Sequence, residues 1–412
     1  MKFALEDIDM DGQLQRTATA ACSGSADLGE ALATARRVIP GDYGSWYAEW
    51  AALAEKTGRL ADDSARHEHV VTAAKAYLRA TEYWRQAIFF IRHDLDDSRL
   101  LRGWRAHRAA FRKALPLLPW DTTIDEIPFD GGRMTAYLLR PRGDAPGRPT
   151  ILAPCGFDST AEAGYAATGY MALARGYNVL LWDGPGQGGM LYEHRVPMRP
   201  DFEAVVSSVI DWVLAQPGVH PDGLALMGRS FAGYLAPRAA AVEPRIAALV
   251  CDPGQVEFVS RIVPSLFTAD YWSRILAADP EVDQALQRQL DDPHKREFYG
   301  ARMATFGAKT FGEFLRKLPR YTVEAQASLI RCPTLVTEGE GDFASQSPQL
   351  FDLLTCEKRF HRFADDEGAG GHCCGLGATL WEGMTFDWLD EVLARKNAQP
   401  FAAADPPQAT GR

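Results

Sequence analysis

The chain has 412 residues, which is long enough for one α/β catalytic domain with an added lid. Its formal net charge of −10, without clustered lysine or arginine residues, argues against a nucleic-acid partner. The N-terminus turns acidic before an apolar signal core could form, and no run of about 18 apolar residues occurs, so we expect a cytoplasmic protein with no membrane partner.

Residues 1–118 have almost no strand pattern and are predicted to form an N-terminal helical region. Trp46 and Trp50 stand four residues apart, and apolar residues keep helical spacing from Val70 to Arg92. Two interpretations stay open for this region. Its aromatic side chains either pack the helices together or also line a substrate pocket.

The pattern changes in residues 119–254, the predicted first part of an α/β core. Two alternating stretches flank the turn DGG at 130–132 and predict a hairpin at a sheet edge. Apolar runs at 149–154 and 177–182, separated by a predicted helix at 161–175, then indicate a right-handed parallel crossover.

The loops that follow these two strands lie where an open parallel sheet places its ligands. In CGFDST at 155–160, the amides of Gly156 and Phe157 are candidates for half of an oxyanion hole. In DGPGQG at 183–188, Asp183 is predicted to stabilise its own turn.

The most informative segment is LALMGRSFAG at 224–233, a buried-strand pattern that ends in Ser230 before an alanine-rich helix. A serine in a tight strand-to-helix turn needs small neighbours, and these are Gly228, Ala232 and Gly233. Such a nucleophile elbow exposes the hydroxyl and points the first helical amides, including that of Phe231, at a charge beside it.

A helical cap rich in aromatic residues is predicted at 255–328, and Trp272 is its candidate substrate-binding residue. The core resumes at 329–396, and the Ala- and Pro-rich residues 397–412 are predicted to be a disordered tail. Arg229, next to the serine, either binds a substrate carboxylate or pairs with a core acid.

A catalytic triad is predicted in the order that an α/β-hydrolase sheet imposes, with Ser230 as nucleophile, Asp342 as acid and His372 as base. Glu338 and Glu340 are rivals for the acid, because they precede the same loop by a few residues. The histidine would take the serine proton, and the carboxylate would hold the imidazole in the correct tautomer.

No metal and no other cofactor is predicted. Cys373 and Cys374 stand beside His372, but the chain has no second motif that would complete a zinc site. The seven cysteines, an odd number, are expected to be reduced thiols.

Four segments together resemble the α/β-hydrolases related to 2,6-dihydroxypseudooxynicotine hydrolase: GFDST at 156–160, WDGPGQG at 182–188, GRSFAG at 228–233 and GHCC at 371–374. The resemblance extends over most of residues 40–395. It implies an α/β-hydrolase fold, a mostly parallel eight-stranded sheet flanked by helices, with an N-terminal helical region and an inserted helical lid. It also implies a homodimer whose N-terminal helices cover the active site.

In that family a further acidic residue, a glutamate after the third strand, assists catalysis, and the matching residue here is the shorter Asp158. Desolvation under a lid would raise the pKa of Asp158 and let it hold a proton near neutral pH. Alternatively, Asp158 caps the helix that begins near Ser159 and Thr160.

The implied activity is hydrolysis of a C–C bond next to a ketone, or of an ester, in a small aromatic or polyketide-like substrate. Peptidase activity uses the same catalytic groups and stays open. Two other classes also stay open: an acyltransferase or cyclase with the same triad, and a ligand-binding protein on a hydrolase fold that has lost activity.

Overall fold

An eight-stranded sheet organises the protein, which confirms the predicted fold class. The computed structural model describes residues 3–143 and 147–397. The strands run in the order β1-β2-β4-β3-β5-β6-β7-β8; β2 is antiparallel to both of its neighbours, and all other pairs are parallel. Their bounds are Trp120–Phe129 (β1), Gly132–Pro141 (β2), Arg148–Pro154 (β3), Asn178–Trp182 (β4), Val219–Arg229 (β5), Ile246–Asp252 (β6), Thr334–Gly339 (β7) and Lys358–Phe363 (β8).

The N-terminal region is helical, as predicted. Its helices are Ile8–Ala20 (α1), Leu28–Ala35 (α2), Tyr43–Arg66 (α3), Val70–Ile88 (α4) and Ser98–Ala114 (α5). Trp46 and Trp50 are fully buried in a cluster with Tyr83 and Phe90, so these aromatic residues pack the helices together.

Polar side chains fix α1 onto α4. The hydroxyl of Thr17 donates to the buried carboxylate of Glu82 at 2.7 Å, and Arg85 completes the group with an ion pair to Glu82. Because a buried carboxylate is stable only when its oxygens are satisfied, this group determines where α1 lies.

The predicted edge hairpin is confirmed, since Phe129 pairs with Gly132 at its turn. The helical segment predicted at 161–175 is confirmed, although it is not one regular α-helix. The segment forms two short helices, Ala161–Gly164 (α6) and Tyr170–Ala174 (α7), joined by a π-helical turn. Gly164 and Gly169 bring this backbone against Leu181 of β4, where a Cβ on Gly164 would lie 3.1 Å from the leucine side chain.

The remaining helices cover the sheet or follow β6. Those of the core are Gly188–Tyr192 (α8), Glu203–Leu214 (α9), Ala232–Ala240 (α10), Ser347–Leu353 (α16) and Ala378–Asn397 (α17). Those between β6 and β7 are Val259–Leu266 (α11), Ala269–Leu276 (α12), Pro280–Arg288 (α13), Pro293–Thr305 (α14) and Phe311–Lys317 (α15).

The last helix includes residue 397, so the tail predicted at 397–412 falls, from residue 398 onward, outside the described residues. Among the helices of the described chain, none combines the length and the apolar character needed to cross a membrane.

Candidate active site

Ser230 occupies a strained turn between β5 and α10. Its φ of 58° lies in the left-handed region, which is uncommon for a residue other than glycine. The turn is so tight that a Cβ on Gly228 would lie 2.0 Å from the carbonyl oxygen of Ala232, and one on Gly233 would lie 1.9 Å from that of Pro253. The backbone crowding inferred from the sequence is therefore present.

His372 lies beside this serine on a short turn after β8. Its Nε2 is 2.8 Å from Ser230 Oγ, and its Nδ1 is 2.9 Å from Asp342 Oδ1. The Asp342 carboxylate is buried and also accepts the amide N–H of Cys373 at 3.3 Å. Because Asp342 accepts the Nδ1 proton, Nε2 is left free to accept the serine proton.

The two rival acids lie elsewhere. Glu338 forms an ion pair with Arg362, whose Nε lies 2.6 Å from the carboxylate. Glu340 accepts the amide of Asp365 at 3.0 Å. Of the three candidates, only Asp342 contacts the imidazole in the described structure.

The environment of His372 favours the protonated imidazole. Burial opposes that form, but the charge and hydrogen bond of Cys373 and those of Asp342 hold the pKa of His372 well above its usual range. The ring of Phe343, 76% exposed, lies over the imidazole at 5.0 Å between centroids, a contact that the sequence did not indicate.

Gln187, in the DGPGQG loop, orients the peptide groups after β3. Its side-chain amide donates to the carbonyl oxygens of Cys155, at 2.6 Å, and Gly156, at 3.1 Å. In a trans peptide the N–H points opposite to the C=O, so the N–H groups of Gly156 and Phe157 point away from Gln187. A Cβ on Gly156 would lie 3.7 Å from Ser230 Oγ, which places this loop against the serine.

The amides of Phe157 and Phe231 flank Ser230 from two loops. Neither N–H donates a hydrogen bond within the described residues. The two phenyl rings pack edge to face at 6.0 Å. The structure thus brings all three predicted oxyanion residues, Gly156 included, next to the serine.

Comparisons with known proteins show which family the chain belongs to. A family model described as X-Pro dipeptidyl-peptidase (S15 family) matches residues 130–364. Hydrolase LUC6 of Fusarium sp is 34% identical over 392 residues, which cover 89% of this chain and 92% of that protein. The chain belongs to the α/β-hydrolase family. 20-hydroxy-prefusarin hydrolase FUS2 of Gibberella moniliformis is also 34% identical to this hydrolase, over 400 residues that cover 90% of this chain and 93% of that protein.

A solved structure shows the same fold. 2,6-dihydroxy-pseudo-oxynicotine hydrolase superposes on this hydrolase with a TM-score of 0.73 and 23% sequence identity, covering 94% of this chain and 99% of that chain. The resemblance inferred from the four sequence segments is confirmed.

The structure corrects the expectation for Asp158. Burial favours the neutral acid, but Arg16, with Arg92 and Arg85, outweighs it and holds the pKa of Asp158 well below its usual range. An Arg16 nitrogen lies 2.9 Å from the carboxylate. Asp158 is therefore an ionised partner of α1 and does not hold a proton at neutral pH.

The capping alternative for Asp158 is also wrong. The N-terminal cap of α6 is Thr160, whose hydroxyl accepts the amide of Ala163 at 3.3 Å. The predicted turn acid Asp183 is buried and accepts the amides of Ala161, at 2.7 Å, and Gly189, at 2.9 Å. It thereby joins the starts of two helices.

Arg229 pairs with a core acid, which is the second of its two predicted roles, and its assignment as a substrate-binding residue is not supported. Its guanidinium contacts Asp252 at 3.0 Å, donates to the carbonyls of Ala167 and Cys373 at 2.8 Å each, and stacks on the ring of Trp381. With these partners it braces the histidine loop against β6.

Trp272 is half-buried on α12 and packs against the large apolar cluster that includes Phe231. Within the described structure no contact joins it to Ser230 or His372. Residues around the site that the sequence did not single out include Arg16, Arg92, Gln187, Arg302 and Phe343.

Helix α1 reaches both loops that flank Ser230. Arg16 contacts Asp158 in the loop after β3, and the hydroxyl of Thr19 donates to the carbonyl of Gly375 in the histidine loop at 3.2 Å. One helix of the N-terminal region therefore spans the front of the site.

Proposed function

We propose that this hydrolase is a serine enzyme in which Ser230 is the nucleophile, His372 the general base and Asp342 the acid that orients the imidazole. The observation that carries the proposal is the pair of contacts at His372, 2.8 Å to Ser230 Oγ and 2.9 Å to Asp342 Oδ1. The strained elbow supports it, because strain persists at positions where function requires it.

In the proposed reaction, Ser230 Oγ attacks the substrate carbonyl carbon while its proton passes to His372 Nε2. The bond to the leaving group then breaks, and the leaving atom keeps the electron pair and takes the proton from Nε2. Water attacks the acyl-serine, again losing its proton to His372. The acid product leaves, and the serine hydroxyl is restored.

The developing negative charge on the carbonyl oxygen would be held by the amides of Phe157 and Phe231. Both N–H groups are free of acceptors within the described residues, and Gln187 fixes the peptide that precedes Phe157. Donors already aimed at the oxyanion need no rearrangement during reaction, which is why such sites contribute about 3–4 kcal/mol per donor.

We propose as substrate a small aromatic or polyketide-like ketone or ester, cleaved at a C–C bond next to the ketone or at the ester bond. The sequence resemblance and the similarity to 20-hydroxy-prefusarin hydrolase FUS2 support this class. Since Asp158 is ionised, His372 is the group left to protonate the leaving carbon or oxygen. The homodimer and the cytoplasmic location stay predictions.

Product analysis distinguishes this proposal from the alternatives. The purified protein is incubated in H₂¹⁸O with a β-diketone, an aryl ester and a dipeptide, and the products are identified by mass. We expect a carboxylic acid with one ¹⁸O atom from the diketone or the ester. Unlabelled cyclised or transferred acyl products would favour a cyclase or acyltransferase. Binding without turnover would favour a ligand-binding protein, and cleavage of the dipeptide alone would favour a peptidase.

Asp158→Asn is expected to lower kcat/KM by a similar factor, about tenfold, on a ketone and on an aryl ester. The substitution removes the partner of Arg16 and loosens α1 over the site, and misplaced groups slow every reaction that the site performs. Because the pair is part-exposed, at 25% for Asp158 and 35% for Arg16, we expect a stability loss of only about 1 kcal/mol. The measurements are steady-state rates and thermal unfolding.

Arg16→Gln provides the matched control for this variant. If the two residues act as a pair, the double variant loses little more than either single variant. A loss of about 10² or more on the ketone alone, with the ester unaffected, would instead restore Asp158 as an acid at the leaving group.

A further inference from the structure

Two arginines from separate helical segments interact electrostatically with Asp158 in the loop after β3: Arg92 lowers the pKa of Asp158, and Asp158 raises that of Arg302. The guanidinium of Arg302, on α14, lies 5.3 Å from the ring centroid of Phe157 and 3.4 Å from that of Phe298. Arg92, four positions after the last residue of α4 and only 9% exposed, lies 4.1 Å from the ring of Phe89. Each donates to a nearby backbone carbonyl, Arg302 to that of Phe298 at 2.7 Å and Arg92 to that of Phe89 at 2.8 Å.

These two positive charges are incompletely neutralised. Among the described residues, no carboxylate lies within ion-pair distance of either guanidinium, and Asp158 is already paired with Arg16. Glu297, on the same helix as Arg302, is buried and has an Oε1 without a hydrogen-bond partner. Burial raises the pKa of Glu297, so its ionised form is disfavoured.

The electrostatic environment of Arg302 agrees with a shortage of negative charge. Burial, together with repulsion by Arg92, lowers the pKa of Arg302 to about 10. Clustered arginines removed from water are costly unless an anion compensates them. Asp158 and Glu297 compensate the positive charge of the two arginines only in part.

The position of the cluster connects it to the reaction. Arg302 lies over the ring of Phe157, whose preceding residue, Gly156, lies against Ser230 Oγ. The ring of Phe306, at the end of α14, also stacks on Phe157 at 6.1 Å. The guanidinium of Arg302 is therefore connected to the nucleophile through two consecutive residues of one loop, Gly156 and Phe157.

We infer that Arg302, assisted by Arg92, is a subsite for an anionic oxygen of the substrate, either a carboxylate or the ionised enol of a 1,3-dicarbonyl group. A guanidinium offers a planar fork of donors that matches such oxygens, and its contact with an anion is stronger than that of a neutral donor. This inference rests on the proposed function, because it assigns the substrate class of the same site.

Matched esters test the subsite by turnover. The probes are 4-nitrophenyl hydrogen glutarate, which carries a carboxylate, and its neutral methyl ester. We expect Arg302→Met to lower kcat/KM for the anionic probe at least about tenfold, mostly through KM, and to change the neutral probe by less than about threefold. Arg296→Met, an exposed residue on the same helix, is the control and should change neither.

A second pair of probes separates the two sources of negative charge. One β-diketone has an acidic C–H between its carbonyls, and the other carries two methyl groups there and cannot form the acidic enol of a 1,3-dicarbonyl group. If Arg302→Met lowers kcat/KM only for the enolisable diketone of this pair, the enolate is the ligand of Arg302. If it lowers kcat/KM only for the glutarate probe, the carboxylate is the ligand. Either result supports the subsite, and equal losses on all four probes, or no loss on any, would overturn it.

Binding to the Ser230→Ala variant tests the subsite without turnover. By calorimetry, phenylacetate should bind more tightly than phenylacetamide, and adding Arg302→Met should weaken phenylacetate at least about tenfold while leaving the amide unchanged. Selective binding to the variant, together with no hydrolysis of any substrate by the native protein, would refute the proposed function and leave the subsite standing. Equal affinities for acid and amide would overturn the subsite. Should Arg302→Met fail to fold, Arg302→Gln serves for the same comparison.

Discussion

Ser230→Ala is expected to lower kcat by about 10⁴ to 10⁶ while leaving the protein folded. The hydroxyl donates to His372 at 2.8 Å, whereas backbone contacts hold the turn: the Ser230 amide donates to the carbonyl of Asp252 at 2.7 Å, and the Gln255 side chain donates to the Ser230 carbonyl at 2.7 Å. Removal of the oxygen therefore eliminates the nucleophile and leaves the elbow intact. The measurements are kcat on the substrate found by product analysis and the thermal midpoint.

The control for this variant is Ser265→Ala, an exposed serine on α11 that should keep full activity. Adding His372→Ala to Ser230→Ala should cost little more, because the two side chains act as one unit. A double variant whose loss equals the product of two large single losses would show that they act independently. An active Ser230→Ala enzyme would remove Ser230 from the mechanism.

Asp342→Asn is expected to lower kcat by about 10⁴, the second largest effect. The buried Asp342 carboxylate accepts the Nδ1 proton of His372 at 2.9 Å and stabilises the imidazolium that forms when the serine loses its proton. An asparagine of the same shape carries no charge and can hold the wrong tautomer. Glu340→Gln makes the same charge change in the same loop, and it should keep activity within about threefold because that carboxylate does not contact His372.

The pH dependence of kcat/KM is a second test of Asp342→Asn. His372 works as a neutral base, and its pKa is held well above 6.5, so kcat/KM of the native enzyme should rise with pH through a limb above 6.5. Asp342→Asn removes a hydrogen bond and a charge that favour the protonated ring, and the limb should move to lower pH. A limb at the same pH, or a kcat within tenfold of the native value, would contradict the role of Asp342.

The sequence predicted the elbow well because crowding around a tight turn is a local property. Gly228 lies two residues before Ser230 and Gly233 lies three residues after it. The requirement for glycine at these positions follows from the backbone geometry of the turn alone. The position of His372 followed from topology, since a loop after the last strand must return to the same edge of the sheet.

The environment of Asp158 could not be predicted, because it depends on Arg16, which lies 142 positions earlier in the chain. Burial alone would have raised the pKa of Asp158, and the sequence of the loop does not show which charges lie near it in the folded chain. The Thr17–Glu82 contact holds α1 in place, and the charge of Arg16 on that helix lowers the pKa of Asp158 instead of raising it.

The same limit applies to the arginines. Arg229 lies next to the nucleophile in sequence, yet Asp252 and the carbonyl of Cys373 occupy its guanidinium. Arg302 lies 72 positions after Ser230 and has no motif around it, yet its guanidinium reaches the ring of Phe157. Which arginine is available to a ligand depends on neighbours that only the folded chain brings together.

Covalent trapping tests the serine mechanism most directly. A fluorophosphonate reacts with an activated serine when Oγ attacks phosphorus and fluoride leaves, so the chain gains the mass of the phosphonyl group. We predict one adduct per chain, located by peptide mapping at Ser230, formed more slowly in Asp342→Asn and absent in Ser230→Ala. An unmodified native chain, or an adduct that persists in Ser230→Ala, would contradict the account.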